Sequence, residues 1–169
     1  MDTVWLGLGS NLGDRNENIF RAFASCSRFL HEARLSGIWE SKPRYVENQP
    51  SFLNAVMCGL TDLDPRTLLD AVQKMELELG RVREGAVPKG PRIIDIDILL
   101  IGSRIIAEPD LIVPHPAMRE RKFVLLPLLD LDPDLVDPVS GSPFSSFLFE
   151  LPPQGIYPLG REGYYAPYP

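Results

Sequence analysis

Long apolar runs, abundant cysteine and an excess of basic residues are all missing from this sequence of 169 residues. No apolar run approaches the roughly 20 residues that a membrane-spanning helix needs. The first residues also lack the basic start and apolar stretch of a secretory signal, so we expect a cytoplasmic protein that binds no membrane. The formal net charge of -6 argues against a general nucleic-acid binder, which needs a basic face.

The few cysteines and the missing nucleotide-binding motifs exclude further classes. Cys26 falls on the apolar side of a predicted helix and Cys58 inside a predicted strand, so neither a disulfide nor a metal pair is expected. No Gly-Lys-Ser or Gly-Lys-Thr occurs, which excludes a Walker-type phosphate loop. The glycines between Gly7 and Gly13 have the wrong spacing for a dinucleotide-binding fold. A bound nucleotide would therefore need metal ions and arginines to hold its phosphates.

The stretch from Gly90 to Leu100 predicts a strand rich in aliphatic residues. Because side chains alternate across a strand, Asp95 and Asp97 share one face, about 7 Å apart at Cα, and the isoleucines beside them face the core. Two such carboxylates repel each other and resist desolvation, which predicts cations beside them. Two Mg²⁺ ions bridging to phosphates are one possibility. Pairing with Arg92 or another arginine is the other, and the strand by itself does not decide.

Basic residues gather in two short segments of this acidic chain. The first holds Arg81, Arg83, Lys89 and Arg92, and the second holds His115, Arg119, Arg121 and Lys122. Each segment alone is typical of a solvated surface. Together with the acidic strand, they indicate a small polyanion as ligand.

Hydrophobic periodicity and turn signals predict the element order β-α-β-β-α-β, which matches the ferredoxin-like α+β pattern. The predicted strands cover residues 3 to 9, 35 to 41, 52 to 60 and the Asp95 stretch, and Asp14 and Asp64 begin the two helices. We expect an antiparallel sheet with helices packed on one face and an open active-site face. One domain is expected over residues 1 to 150, followed by an irregular tail over residues 151 to 169, rich in proline and tyrosine.

Three weaker signals allow both a structural and a functional interpretation. Phe52 and Asn54 point the same way on their strand, which suits either a flat heterocycle or an ordinary core and strand edge. Glu76 suits either a plain ion pair or a carboxylate that orients Arg81 or Arg83 toward phosphate. His115 lies between two prolines, and a histidine in such a turn is usually structural. Only the arginines beside it favour a functional role.

Several motifs, in one order, resemble the 6-hydroxymethyl-7,8-dihydropterin pyrophosphokinase family. They are GSNLG, QPSFLNAV, MELELGRVR, GPRIIDIDILL and VPHPAMRERKFVLLPL, and the likeness covers residues 3 to about 135. The resemblance implies a ferredoxin-like fold and transfer of the terminal diphosphate of ATP to the pterin hydroxymethyl group, with release of AMP. The partners it implies are these two small molecules, with Mg²⁺ as cofactor, and we expect a monomer.

Carried over residue by residue, the resemblance assigns three groups of side chains. It implies that Asp95 and Asp97 ligate two Mg²⁺ ions and act in catalysis with Arg83 and Arg92. For the pterin, it implies stacking on Phe52 and Phe123 and contacts to Asn54 and to the backbone from Ser41 through Lys42 to Pro43. The residues expected around ATP are Glu76, Arg81, Arg83, Arg92, Ile98, His115 and Arg121.

The chain departs from the family pattern at a few positions, and two rival functions remain open. Lys89 stands where an aromatic residue often precedes Gly-Pro-Arg, Pro116 follows the histidine, and Lys42 and Arg44 are charged where the pterin loop is often apolar. These changes affect affinity and loop details before they affect the reaction. The rivals are a non-catalytic ligand-binding or regulatory module of ferredoxin-like fold and an ordinary kinase that produces ADP.

Overall fold

The computed structural model describes residues 1–43, 48–81 and 90–159 and contains an antiparallel sheet with helices on both faces. The strands are β1 (Asp2–Ser10), β2 (His31–Leu35), β3 (Trp39–Ser41), β4 (Phe52–Thr61), β5 (Asp95–Ile101), β6 (Ile106–Glu108), β7 (Leu111–Val113) and β8 (Ile156–Pro158). The helices are α1 (Arg15–Cys26), α2 (Pro65–Glu78), α3 (Lys122–Leu131) and α4 (Phe144–Glu150). The main sheet has the order β5-β1-β4-β3-β8, β2 also pairs with β4, and β6 and β7 form a separate hairpin.

The alternation of side chains in β1 divides the core into two layers. Val4, Leu6 and Leu8 are buried against α1 and α2 on one face. Trp5 points to the opposite face, where it packs in a second cluster with residues of α3 and α4. The face expected to be open is therefore covered in part, and a cavity remains beside α3.

The sequence-based boundaries differ from the observed ones where side chains take over backbone hydrogen bonds. The predicted strand over 35 to 41 is divided into β2 and β3, because Ser36 Oγ accepts a hydrogen bond from the Val56 backbone at 2.9 Å. The strand predicted from Gly90 begins only at Asp95. The turn between β6 and β7, helix α4 and β8 were not predicted, and β8 shows that residues 156 to 158 are not irregular.

Strand β5 lies at one edge of the main sheet and carries a bulge. Asp95, Asp97 and Leu99 point to the α3 face, and Ile96 and Ile98 point to the α1 and α2 face, as the alternation predicts. The register with β1 then shifts between Trp5 and Leu6, so that Leu100 also packs in the α3 cluster. The acidic pair is therefore held at the sheet edge, beside the second core cluster.

Two expectations about the whole chain can be compared with the described residues. Among them, no helix has the length and apolar character needed to cross a lipid bilayer. Cys26 and Cys58 are both buried and unpaired, as expected. Burial raises the pKa of the Cys26 thiol to about 12, so this cysteine behaves as a small apolar side chain.

Candidate active site

Asp95 lies between two arginines at the start of β5. Its Oδ1 is 2.7 Å from Arg81 Nη1 and its Oδ2 is 2.7 Å from Arg92 Nη1. The side chain is 23% exposed, so these ion pairs lie at a partly shielded position at the edge of the sheet. Of the two possibilities left open by the sequence, pairing with arginines is therefore the arrangement observed for Asp95.

Asp97 points to the same face as Asp95 and faces the same two cavities. Burial, reinforced by the negative charge of Asp95, raises the pKa of the Asp97 carboxyl to about 7, and Arg121 and Arg81 oppose this rise only in part. The two carboxylates thus disfavour each other's ionisation, as their positions on one strand face predict. A cationic ligand would relieve this repulsion.

Glu76, on α2, connects the helix to the acidic strand. Its side chain is 2% exposed, its Oε1 accepts a hydrogen bond from the Ile96 backbone at 2.8 Å, and it forms an ion pair with Arg81. Arg81 in turn contacts Asp95. Glu76 therefore holds the arginine at the acidic pair, an arrangement that fits the more specific of the two interpretations made from the sequence.

The first cavity has a volume of about 300 Å³ and combines aromatic, amide and charged side chains. Phe52 and Phe123 both line it. Asn54 is 5% exposed, and its amide donates hydrogen bonds to Ser41 Oγ at 2.9 Å and to the Trp39 carbonyl at 3.2 Å. Because these bonds fix the orientation of the amide, the cavity offers a polar edge beside two aromatic rings.

An arginine lies over each phenylalanine of the first cavity. The Arg92 guanidinium carbon is 6.0 Å from the centre of the Phe52 ring, and that of Arg121 is 5.7 Å from the centre of the Phe123 ring. Both distances are within the range of cation–π contacts. The cationic groups therefore border the aromatic part of the cavity directly.

The second cavity, of about 460 Å³, lies between α2, β5 and the turn of the β6–β7 hairpin. The residues that line both cavities are Arg81, Asp95, Asp97 and His115. The two cavities therefore meet at the acidic pair. A ligand in one cavity would lie beside a ligand in the other, with both signs of charge at the junction.

His115 is held in one tautomer by the turn that contains it. The backbone N–H of Ala117 donates to His115 Nδ1 at 3.2 Å, and the backbone N–H of His115 donates to the Leu99 carbonyl at 2.9 Å. Burial, followed by the nearby charge of Arg121, lowers the pKa of His115 below its ordinary value. The neutral ring thus accepts at Nδ1 and carries its proton on Nε2, where it is able to donate to a ligand.

The structure brings most of the predicted site residues to the two cavities. The first is lined by Ser41, Phe52, Asn54, Arg81, Arg92, Asp95, Asp97, His115, Arg121 and Phe123, and the second adds Glu76 and Ile98. Lys42 and Pro43 line neither cavity. Arg83, together with Arg44 and Lys89, lies outside the described residues.

Sequence reasoning missed several residues that shape the cavities. Gly7 and Gly9 form part of the floor of the first cavity, and a side chain at Gly9 would lie 3.9 Å from atoms of Phe52, Asn54 and Asp95. The sequence signal for them is the Gly-Leu-Gly repeat of β1. The wall of the second cavity formed by residues 109 to 112 has no recognisable signal in the sequence. This hairpin is held to α2 by ion pairs of Arg66 with Glu108 and Asp110.

The donor set at the junction suits a hard cation that retains other ligands. Within residues 1–43, 48–81 and 90–159, no group of three or more histidine, cysteine or acidic side chains is arranged to hold a metal ion. Asp95 and Asp97 supply only carboxylate oxygens. Mg²⁺ fits such a pair, because it is usually bound by one or two carboxylates with water and substrate phosphates completing its coordination.

The α+β fold, and the arginines and paired carboxylates where the two cavities meet, are typical of an enzyme that acts on phosphate groups. A family model described as 7,8-dihydro-6-hydroxymethylpterin-pyrophosphokinase matches residues 5–133, and the chain belongs to this family. Members of this family are pyrophosphokinases, which are ATP-dependent diphosphotransferases of folate biosynthesis.

Two bacterial relatives match over nearly their whole length. The 2-amino-4-hydroxy-6-hydroxymethyldihydropteridine pyrophosphokinase of Aquifex aeolicus is 42% identical, with 87% of this chain and 91% of that protein covered. The enzyme of the same name from Pseudomonas aeruginosa is 44% identical, with 90% and 94% covered. The folic acid synthesis protein fol1 of Pneumocystis carinii is 43% identical over 94% of this chain, but the chain spans only 21% of its length.

A solved structure supports the same fold. The crystal structure of wild-type Plasmodium falciparum HPPK-DHPS aligns with a TM-score of 0.69 at 15% identity, covering 88% of this chain and 44% of that one. At this identity the likeness concerns the fold alone, and it confirms the ferredoxin-like α+β class expected from the element order.

Proposed function

We propose that this chain transfers the terminal diphosphate of ATP to the hydroxymethyl group of 6-hydroxymethyl-7,8-dihydropterin and releases AMP. The observation that carries the proposal is the junction of the two cavities at Asp95, Asp97, Arg81 and His115. A displacement between two substrates requires their reacting atoms to meet in one place, and this junction supplies such a place. The names of the nearly full-length bacterial relatives support the same reaction.

The pterin occupies the first cavity in this proposal. Its flat ring stacks on Phe52 and Phe123, and its polar edge pairs with Asn54 and with the backbone near Ser41. Because Asn54 is already held by Ser41 and Trp39, little conformational entropy is lost when the pterin binds. The hydroxymethyl group then points toward the acidic pair.

ATP occupies the second cavity, with the adenine near Ile98 on the edge strand β5 and the phosphates at the junction. Arg81 and Arg92 neutralise Asp95 before substrates bind. When the triphosphate arrives, these arginines turn from the carboxylate to the phosphate oxygens, with which they form charge-assisted hydrogen bonds. Arg121 and the Nε2–H of His115 add donors, and Arg83 belongs to the same proposed set.

Asp95 and Asp97 would hold two Mg²⁺ ions at the junction. When bound, Mg²⁺ neutralises phosphate charge and polarises the incoming hydroxyl group. The release of Asp95 by its arginines and the deprotonation of Asp97 make both carboxylates available as ligands. The two steps link metal binding to nucleotide binding.

The reaction is a displacement at the β-phosphorus of ATP. The hydroxymethyl oxygen forms a bond to the β-phosphorus, the bond from that phosphorus to the oxygen bridging it to the α-phosphate breaks, and AMP leaves with that oxygen. Phosphoryl-type transfers need little covalent help, so positioning and charge neutralisation supply most of the acceleration. The hydroxyl proton is released to solvent in the same process.

The decisive experiment is the identification of products from ATP, Mg²⁺ and 6-hydroxymethyl-7,8-dihydropterin by separation of the nucleotides. We expect AMP and the pterin diphosphate in equal amounts. ADP in place of AMP would show an ordinary kinase. Asp97→Ala should abolish most turnover, whereas Asp70→Ala, on the exposed side of α2, serves as the matched control and should not. Unchanged ligand affinity in Asp97→Ala without turnover in either protein would favour the non-catalytic binding module.

Three expectations from the sequence stay predictions beside this proposal. They are the cytoplasmic location, the monomeric state and the division into a catalytic domain over residues 1 to 150 and a separate tail. Gel filtration with light scattering tests the second directly. The third is tested by removing residues 151 to 169, which should cost activity if these residues belong to the catalytic unit.

A further inference from the structure

We infer that Gln154, in the C-terminal segment between α4 and β8, positions Arg121 for catalysis. Its Oε1 accepts a hydrogen bond from the Lys122 backbone N–H at 3.0 Å, and its Nε2 donates to the Glu120 carbonyl at 3.0 Å. The inference rests on the proposed function, in which Arg121 binds the phosphates of ATP. Gln154 lies beyond residues 5–133, the part of the chain matched by the family model.

The two hydrogen bonds hold the peptide groups on both sides of Arg121. One contains the Glu120 carbonyl, and the other contains the Lys122 N–H. Arg121 has φ -119° and ψ 101°, an extended conformation between a 3-10 turn and α3. Because φ and ψ of a residue are set by its two flanking peptide groups, the Gln154 amide fixes the backbone from which the Arg121 side chain projects.

Gln154 also supplies a cap that α3 does not provide for itself. Arg121 occupies the N-cap position of α3 and makes no side-chain capping hydrogen bond. The first N–H groups of a helix need acceptors from outside it, and Gln154 Oε1 satisfies that of Lys122. The start of α3 and the 3-10 turn before it are therefore joined through a residue from the C-terminal segment.

The Arg121 side chain, held in this way, is positioned to bind an anion. The Arg121 guanidinium lies over the Phe123 ring, and Arg121 lines the first cavity. Its Nε is buried and has no hydrogen-bond partner in the described part of the chain. A buried unsatisfied donor is costly, and a phosphate oxygen would satisfy it.

The same C-terminal segment is attached to the opposite side of the cavity. Strand β8 pairs with β3 so that Ile156 lies opposite Ser41, and the Leu159 N–H donates to the Ile38 carbonyl at 2.8 Å. Gln154 thus connects the Ser41 side of the cavity to the Arg121 side. A substitution at Gln154 would therefore affect both sides of the cavity, the Arg121 side more than the Ser41 side.

The test is Gln154→Met, which keeps the length of the side chain and removes both hydrogen bonds. We expect the Lys122 amide to exchange with solvent about tenfold faster by NMR, and the KM for ATP to rise about tenfold with little change in the unfolding midpoint. Tyr157→Phe, at an exposed position of β8, is the control and should change neither quantity. A loss of folded protein alone would lower kcat and leave both KM values unchanged.

A double-mutant cycle with Arg121→Ala tests whether Gln154 acts through Arg121. We expect Gln154→Met to add almost nothing when Arg121 is already absent. If the two substitutions instead raised the KM for ATP independently, so that their fold-changes multiplied, the inference would be overturned. A Lys122 amide that exchanges at the wild-type rate in Gln154→Met would overturn it as well. If Gln154→Met does not fold, Gln154→Glu retains the acceptor for Lys122 and should keep the slow exchange; fast exchange there would also overturn it. Wild-type protein that forms no AMP would instead overturn the proposed function, and the exchange measurement would still report on Gln154.

Discussion

The side-chain oxygen of Asn11 accepts a hydrogen bond from the Arg92 backbone N–H at 2.8 Å, and the Asn11 N–H donates to the Arg92 carbonyl at 3.1 Å. The same side chain donates to Gln49 Oε1 at 3.0 Å and to the Pro50 carbonyl at 3.1 Å. Asn11 is 1% exposed. A single buried amide therefore joins the segment before Phe52 to the segment that carries Arg92.

Replacing this amide should weaken the fold and the site together. For Asn11→Ala we expect a loss of about 1 to 3 kcal/mol in the free energy of unfolding, because the partly buried hydrogen bonds to the Pro50 carbonyl and from the Arg92 N–H are lost. Pterin affinity should fall as well, since Arg92 lies over Phe52. Denaturant unfolding and calorimetric titration measure the two effects.

Asn16→Ala provides the matched control for Asn11→Ala. The Asn16 side-chain oxygen is buried without a hydrogen-bond partner in the described ranges, so its removal should cost less than about 1 kcal/mol. Equal losses in the two variants would contradict the role assigned to Asn11.

The absence of a side chain at Gly9 should be required for pterin binding. A Cβ at this position would make ordinary contacts with Phe52, Asn54 and Asp95, so Gly9→Ala is expected to fold. The further methyl groups of Gly9→Val would enter the first cavity and should lower pterin affinity at least about tenfold, with a smaller loss for alanine. Gly9 does not line the second cavity, so the affinity for a nonhydrolysable ATP analogue should change little. An equal loss for both ligands would indicate general disruption.

The charge on Asp97 should make the metal-free protein less stable as the pH rises. The pKa of this carboxyl is raised to about 7 in the folded protein, mainly by burial, against about 3.9 in an unfolded chain. The folded state therefore holds a proton that the unfolded chain releases between these values, and the free energy of unfolding falls over the same window. About one pH unit below the unfolded pKa, both states are largely protonated and the effect vanishes.

Asp97→Asn should remove this pH-dependent loss. In the presence of a chelator, we expect the free energy of unfolding of the variant to exceed that of wild type by on the order of 4 kcal/mol at pH 8, relative to their difference at pH 4. Chemical denaturation across this range measures the effect. Asp70→Asn, at an exposed position on α2, should show no comparable trend. Parallel pH profiles for wild type and Asp97→Asn would refute the prediction.

His115 should be neutral at pH 7, with its proton on Nε2. The Ala117 N–H donates to Nδ1, and burial lowers the pKa of the imidazole below its ordinary value. Long-range ¹H–¹⁵N correlation spectra distinguish the two tautomers directly. A protonated Nδ1 at pH 7 would be inconsistent with the observed hydrogen bond and with donation from Nε2 to phosphate.

The parts of the fold that depend on local pattern were predictable. Asp14 and Asp64 accept hydrogen bonds from the first backbone N–H groups of α1 and α2, as their positions before each helix indicated. The alternation of β5 correctly separated Asp95 and Asp97 from Ile96 and Ile98. Period and capping depend only on neighbours in sequence, so the sequence carries them directly.

The parts of the fold that depend on partners distant in the sequence were not predictable. Arg92 was expected within a strand, but its backbone pairs with Asn11 instead of continuing β5. Residues 156 to 158 carry no strong strand signal and become β8 because β3 offers an edge for pairing. Similarly, nothing near Gln154 in the sequence indicates that its amide will meet the backbone around Arg121.

The sequence by itself determined which chemical groups this protein brings to phosphate chemistry: two carboxylates on one strand face, arginines in two segments, and an amide beside an aromatic ring. Only the tertiary structure decided that the arginines pair with Asp95, that glycines leave the cavity floor open, and that the C-terminal segment pairs with β3 beside the cavity. The physical reason is that side-chain alternation and capping are local, whereas ion pairs, cavities and edge-strand pairing arise from residues that meet only when the chain folds.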